Sequence, residues 1–274
     1  MNPYLIQGPA IISFSGGRTS GYMLKKILDA HRGKLPDDFH VVFANTGKER
    51  EETLRFVHDV GANWNVDIAW VEASSPKGYT QVGYNSASRA GEPFDAAIAK
   101  KKSLPNGTQR WCTSLLKIEP MTAYMVARGY EPGKYREVVG LRHDEGSRLL
   151  KMYANNDKYG RQCVAPLSKA KVTKNDVMAF WKIQPFDLAL RPWEGNCDLC
   201  FNKGRALRER ICRDNPAAPA WWAKHEEQTG YTFSMRESVK DIVRYVERTP
   251  MLIPDDPAEE YDVECGLHCA ADEV

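Results

Sequence analysis

Missing from these 274 residues is any run of about eighteen apolar residues, and the N-terminus carries no basic, apolar, small-residue signal pattern. Those absences exclude a transmembrane helix and point to a cytosolic protein with no membrane partner. A dominant charge is missing too. The 38 basic side chains meet 36 acidic ones, a net +2, so no global field draws the chain to nucleic acid or to a membrane. Its basic run, Lys100-Lys101-Lys102, reads as a solvated helix face. No internal repeat or low-complexity tract interrupts the sequence. The length suits one large α/β domain, or a core with a smaller appended region. Seven cysteines in such a chain argue against a disulfide framework and for metal or redox use.

What is present begins with residues 11–20, IISFSGGRTS. An apolar, β-branched run passes through Ser13 and Ser15 and breaks at Gly16-Gly17. Beyond Ser20, Tyr22, Met23, Ile27 and Leu28 fall at helical spacing. A strand, a Gly-rich turn and a helix N-terminus together make an anion site. The glycines let backbone approach a phosphate, the first-turn N–H groups have no other partner, and the helix dipole favours negative charge. Ser15, Thr19 and Ser20 add hydroxyls, and Arg18 adds charge. The pattern is neither the Walker loop nor the dinucleotide Gly-x-Gly-x-x-Gly.

Strand candidates at 10–15, 39–45, 66–71 and 136–141 alternate with helical stretches, which predicts an α/β fold with a parallel sheet flanked by helices. Ligands of such sheets sit at the C-terminal strand ends, where the loop at 15–20, the turn Asn45-Thr46-Gly47 and Arg142 would converge. The polar segment 74–110 reads as a long loop with short helices, a lid or specificity element. We expect a nucleotide-binding α/β domain over 1–171, a smaller helical cysteine-containing region over 172–248, and a mobile arm over 249–274. In the second, a helix runs from Lys174 to Trp181, a knuckle at Gly195–Cys200 leads to a basic helix at 203–213, and Trp221-Trp222 serve packing. Pro250, Pro254 and Pro257 stiffen the linker to the arm.

Taken in order, these stretches resemble the PAPS reductase family of the PP-loop superfamily, the N-type ATP pyrophosphatases. Ser15-Gly16-Gly17 with Ser20 is similar to their SGGxDS loop, with Thr19 at the usual acidic position. Asn45-Thr46-Gly47 with Glu49, Glu52 and Thr53 resembles the block after their second strand. Arg110, Cys112, Lys117 and Pro120 resemble an "R.C…K..P" block. Val138-Val139-Gly140-Leu141-Arg142 with Asp144, Glu145 and Arg148 resembles the anion-binding turn "vvGiR.dES.R". Glu264-Cys265-Gly266-Leu267-His268 resembles the tail bearing the reductases' catalytic cysteine. The resemblance implies an adenine nucleotide alpha-hydrolase-like, Rossmann-like fold. It implies ATP, or APS or PAPS, at Ser13, Ser15, Gly16, Gly17, Arg18, Thr19, Ser20, Asn45, Thr46, Gly47, Gly140 and Arg142, with Mg²⁺ as a companion of ATP. Cys265, Arg142 and Lys117, with Arg110, would carry the chemistry.

Cys197-x-x-Cys200 presents two thiolates from one turn, which suits a redox pair, zinc or an iron–sulfur cluster. In cluster-containing APS reductases a Cys-Cys pair and a downstream CxxC hold a [4Fe–4S] cluster. Here Trp111 replaces the first cysteine of that pair, so the resemblance supplies Cys112, Cys197 and Cys200. The fourth ligand would be Cys163, Cys212 or Cys269, or one iron stays open, as in some PP-loop thiolation enzymes. By composition alone Cys163 and Cys212 read as buried apolar residues. Cys265, beside His268 on the arm, reads as a redox nucleophile that Cys269 could engage in a disulfide.

The two ends of the chain favour different reactions. An intact loop favours ATP cleavage at the α-phosphate, giving AMP and pyrophosphate, coupled to sulfur transfer or nucleic-acid modification. The tail favours thiol-dependent reduction of an adenylyl sulfate, with sulfite released and a thioredoxin-type donor resolving Cys265. A non-catalytic nucleotide-sensing subunit is the third reading.

Overall fold

A computed structural model describes residues 2–75, 77–191, 193–234 and 237–249 of the chain. The expected arm over 249–274, with Cys265, His268 and Cys269, lies outside the described residues but for Thr249. Among the described residues six strands form one sheet, β1 (Ala10–Ser13), β2 (Phe39–Ala44), β3 (Ile68–Ser74), β4 (Gly78–Val82), β5 (Arg136–Val138) and β6 (Cys163–Val164), in the order β4-β3-β2-β1-β5-β6. Every pairing is parallel except β3 with β4. The parallel sheet flanked by helices holds as expected, and its Rossmann-like order reverses at β1.

Alternation along the strands assigns the two faces. Ile12, Val41, Phe43 and Trp70 point into one core with α1 (Arg18–Ala30) and α2 (Glu51–Trp64). Ile11, Val42, Ala69 and Val71 point into the other, against Met121, Tyr124 and Met125. With both faces covered, β-branched runs without polar alternation are what the central strands require.

The segment expected as loop with short helices contains β4 as well as the helix α3 (Glu92–Lys101). β4 escapes a reading by periodicity because it is an edge strand with little buried surface: Thr80 and Gln81 are exposed. The antiparallel hairpin from β3 defines it instead, Ser74 pairing with Gly78. Lys100 and Lys101 occupy the last turn of α3, where cations complement the helix dipole.

After α3 come a short α4 (Trp111–Thr113), a π-helical turn (Ser114–Ile118) and α5 (Glu119–Val126). Beyond β5 lie α6 (Gly146–Tyr159), α7 (Pro166–Lys169), α8 (Lys174–Trp181), α9 (Arg205–Asp214), α10 (Ala218–Thr229) and α11 (Val239–Arg248). α8 starts on a capping box of Thr173 and Asp176. Its Val177 and Trp181 pack into the sheet core beside α1. Trp111, Leu116 and residues of α3 pack instead with Leu199, Ile211, Trp222 and Phe233, so the stretch around Cys112 and the C-terminal helices share one core. No helix among the described residues is long and apolar enough to cross a membrane.

Candidate functional site

The chain leaves β1 at Ser13, turns at Gly16 with φ +76°, and enters α1 at Arg18 with Gly17 as N-cap. Only glycine fits the turn. A Cβ on Gly16 would lie 2.7 Å from Thr53 Cγ2, 3.1 Å from Val57 Cγ2 and 3.2 Å from Phe43 Cε2, so α2 and β2 hold the loop from behind. No side chain caps α1 and no acidic residue stands in its first turn. Ser15 Oγ donates to Ser20 Oγ at 3.0 Å, and Ser20 Oγ donates to the Gly17 carbonyl at 2.9 Å. An uncapped helix start ringed by hydroxyls and free of carboxylate offers the N–H donors and the positive dipole end that an anion would need. A Mg²⁺ ion would find no carboxylate on this turn. Arg18 differs from expectation: its Nε and Nη2 each donate to an Asp187 carboxylate oxygen at 2.7 Å, so its charge is answered by the segment after α8.

Across the switch point between β1 and β5, a Cβ on Gly140 would lie 3.3 Å from Ser20 Cα, so the two loops touch through backbone. Arg142 follows, with 1% of its surface exposed. Its Nη1 donates to Thr19 Oγ1 at 3.0 Å and its Nε to Asp144 Oδ1 at 3.0 Å, while its backbone N–H donates to Glu145 Oε2 at 2.9 Å. Burial acts to raise the Asp144 carboxyl, but the Lys174 N–H and the Arg142 guanidinium outweigh it and hold the group below the usual carboxylate range. Arg142 therefore fixes Thr19 at the loop. Thr19 stands where the resemblance has an acid, and it receives an arginine proton there.

The turn after β2 is built inward. Asn45 Nδ2 donates to Glu72 Oε1 at 2.6 Å and to the Ser88 carbonyl at 2.9 Å. The Thr46 N–H donates to Glu49 Oε2 at 2.8 Å, and Thr46 Oγ1 shares its proton with that carboxylate. Gly47, at φ +77°, lets this turn abut Gly91 and Pro93. Lys117, on the π-helical turn, is buried with Nζ 3.9 Å from Glu49 Oε1. Arg110 has a buried Nε without a partner, and its guanidinium lies 5.7 Å from the Phe201 ring centroid.

Residues 48–50 carry the cysteine turn. Glu49 and Cys197 form an antiparallel bridge, the Asp198 N–H donates to the Lys48 carbonyl at 2.9 Å, and the Arg50 N–H donates to the Asn196 carbonyl at 2.8 Å. Ion pairs of Lys48 with Asp198 (2.6 Å) and Arg50 with Glu194 (3.0 Å) flank it. Asn196 Nδ2 donates to the Ser15 carbonyl at 2.7 Å, which joins this turn to the loop after β1. Cys112, Cys197 and Cys200 line one small pocket together with Thr46 and Lys117. The three cysteines expected as ligands thus border the same pocket. Among the described residues no three His, Cys, Asp or Glu side chains are grouped as they would be to hold a metal ion.

Neither Cys163 nor Cys212 lines that cavity. Burial pushes their thiols up to about 12 and about 11, as for apolar packing residues. Sequence reading did not find Asn196, Asp198 or Lys203. Lys203 is buried and donates to the Trp193 carbonyl at 2.8 Å. Burial lowers its pKa, and the neighbouring Cys200 opposes that shift. Asp198 also accepts from Trp222 Nε1 at 3.0 Å, a contact with no local signature.

The phosphoadenosine phosphosulfate reductase domain model matches residues 9–188. The uncharacterised nin region protein ORF290 of Escherichia phage lambda is 34% identical over 213 residues, 74% of this chain and 69% of its own length. An uncharacterised protein of Methanocaldococcus jannaschii is 28% identical over 154 residues, 56% of this chain and 27% of its own length. A solved structure, the U34-tRNA thiolase NcsA from Methanococcus maripaludis with its [4Fe-4S] cluster, aligns over 89% of this chain and 73% of its own, with 11% identity and a TM-score of 0.40.

Proposed function

Because the chain belongs to the phosphoadenosine phosphosulfate reductase domain family, we propose that it binds ATP at Ser15–Ser20 and cleaves it at the α-phosphate in support of sulfur transfer. The observation that carries this is the loop itself. Its glycines, its hydroxyls and the uncapped α1 start are all in place, and they suit a β,γ-pyrophosphate, which an adenylyl sulfate lacks. In this reading the acceptor attacks the α-phosphorus, the bond to the bridging oxygen breaks, and the electron pair leaves on pyrophosphate, which the helix dipole stabilises. The resulting adenylate then loses AMP to a sulfur nucleophile. Thr19 is held in place by Arg142, and Lys117 supplies positive charge at the cavity wall. Cys112, Cys197 and Cys200 would hold a [4Fe–4S] cluster, which supplies sulfide-binding chemistry when bound.

Incubating the protein with labelled ATP, APS and PAPS, with and without thioredoxin, tests the proposal. AMP and pyrophosphate from ATP are expected. The ECGLH stretch favours a second reading, thiol-dependent reduction through Cys265, and sulfite from APS or PAPS would establish it instead. Binding of ATP with no turnover at all would leave the nucleotide-sensing role.

A further inference from the structure

The hydrogen bond between Asn196 and Ser15 connects two elements that the proposed reaction must coordinate. Ser15 opens the phosphate loop, and its carbonyl accepts the Asn196 amide proton at 2.7 Å. Asn196 immediately precedes Cys197, and its own carbonyl is held by the Arg50 N–H at 2.8 Å. On the far side, Cys197 bridges Glu49, and the Glu49 carboxylate accepts from Thr46 in the turn after β2. The cysteine turn is therefore fastened to backbone along 48–50 and to the phosphate loop through one side chain. Next to Ser15, a Cβ on Gly16 would meet Thr53 and Val57 of α2 and Phe43 of β2, so there is little space behind the loop.

We infer that Asn196 is a positioning residue that makes the setting of Cys197 and Cys200 depend on occupancy of the phosphate loop. With phosphate bound, the Ser15 carbonyl is fixed, Asn196 is held, and both thiols are more tightly confined. Linkage requires the reverse as well: whatever fixes the cysteine turn tightens nucleotide binding by the same factor. The inference rests on the loop being the nucleotide site, and it needs no bound cluster.

The test uses the full chain, treated with chelator and reductant, and follows alkylation of each cysteine by mass spectrometry with and without ATP. In the parent, ATP should slow labelling of Cys197 and Cys200 about two- to tenfold, the range that one net hydrogen bond allows. In Asn196→Ala, ATP should still bind, about two- to tenfold more weakly, while its effect on the two thiols disappears. Asn196→Asp, which keeps the side-chain shape and loses the donor, gives the same comparison if the alanine variant does not fold. Nucleotide-dependent labelling that persists in either folded variant would overturn the inference, because ATP would then be covering the thiols directly. Unchanged labelling in a parent that binds ATP would overturn it while leaving the loop assignment intact. A parent that binds no ATP would overturn both.

Discussion

One methyl group on Gly16 brings two separable costs into the phosphate loop. The residue sits at φ +76°, where an L side chain costs about 1–2 kcal/mol. The new Cβ would also lie 2.7 Å from Thr53 Cγ2 and 3.1 Å from Val57 Cγ2, on a buried helix face with no room to recede. Overpacking of that kind costs about 1–3 kcal/mol. Gly16→Ala should therefore lose about 2–5 kcal/mol, which for a chain of this size lowers the melting temperature by about 3–9 °C. Gly17 is the control. Its φ of −101° and ψ of 163° are extended backbone that a branched residue adopts without strain. Gly17→Val should melt with the parent and yet lose ATP, since the branched side chain occupies the place where phosphate approaches the helix start. Calorimetric melting and ATP titration on both variants separate the roles. A Gly16→Ala protein as stable as the parent, or a folded Gly17→Val protein with unchanged ATP affinity, would refute this account of the loop.

Arg142→Ala should cost about 1–3 kcal/mol, because it removes the guanidinium from Thr19 and Asp144 while Glu145 keeps the residue-142 N–H and its pairing with Arg148. It should also abolish nucleotide turnover, and Arg142→Lys should not restore it, since one ammonium cannot span Thr19 and Asp144. Parent-like turnover in Arg142→Ala would remove the assigned role. Anaerobic purification should give a brown protein absorbing near about 400 nm, and triple replacement of Cys112, Cys197 and Cys200 by serine should leave it colourless. In native protein at pH 8, Cys163 and Cys212 should resist alkylation. Their raised pKa values keep the thiol protonated until the pH nears about 11, so roughly one thiolate in a thousand or fewer is present. Rapid native labelling of either would contradict their burial. Cys265→Ser should still release AMP and pyrophosphate from ATP, and loss of that release would tie the tail to the α-phosphate step.

What sequence could give here was local. Ala10–Ser13, Phe39–Ala44 and Ile68–Ser74 were legible because strands covered on both faces demand apolar, β-branched runs. The loop was legible because a glycine at positive φ followed by hydroxyls leaves a short pattern. β4 was not, because an exposed edge strand imposes no apolar period. The partners of the charged residues were beyond reach for another reason. Arg142 and Thr19 are 123 positions apart, and Asn196 and Ser15 are 181 apart. Neither contact has any periodic trace, and both exist only once β5 lies beside β1 and the chain returns across the C-terminal strand ends.

Those long-range contacts alter how the site residues divide their work. Arginine in a phosphate-binding block suggests direct contact with the ligand, yet Arg18 is neutralised by Asp187 and Arg142 is buried among Thr19, Asp144 and Glu145. In the proposed function, anion recognition at Ser15–Ser20 then falls to the helix start and its hydroxyls, with arginine acting through Thr19. Backbone N–H groups lose little freedom on binding and cannot be titrated. A loop built on them responds to the shape of a pyrophosphate more than to the charge of a sulfate. Under the proposed function, the bond from Asn196 to Ser15 would make the cysteine pocket a dependent of the loop. Substitutions at 194–198 should therefore be assayed for nucleotide affinity as well as for metal.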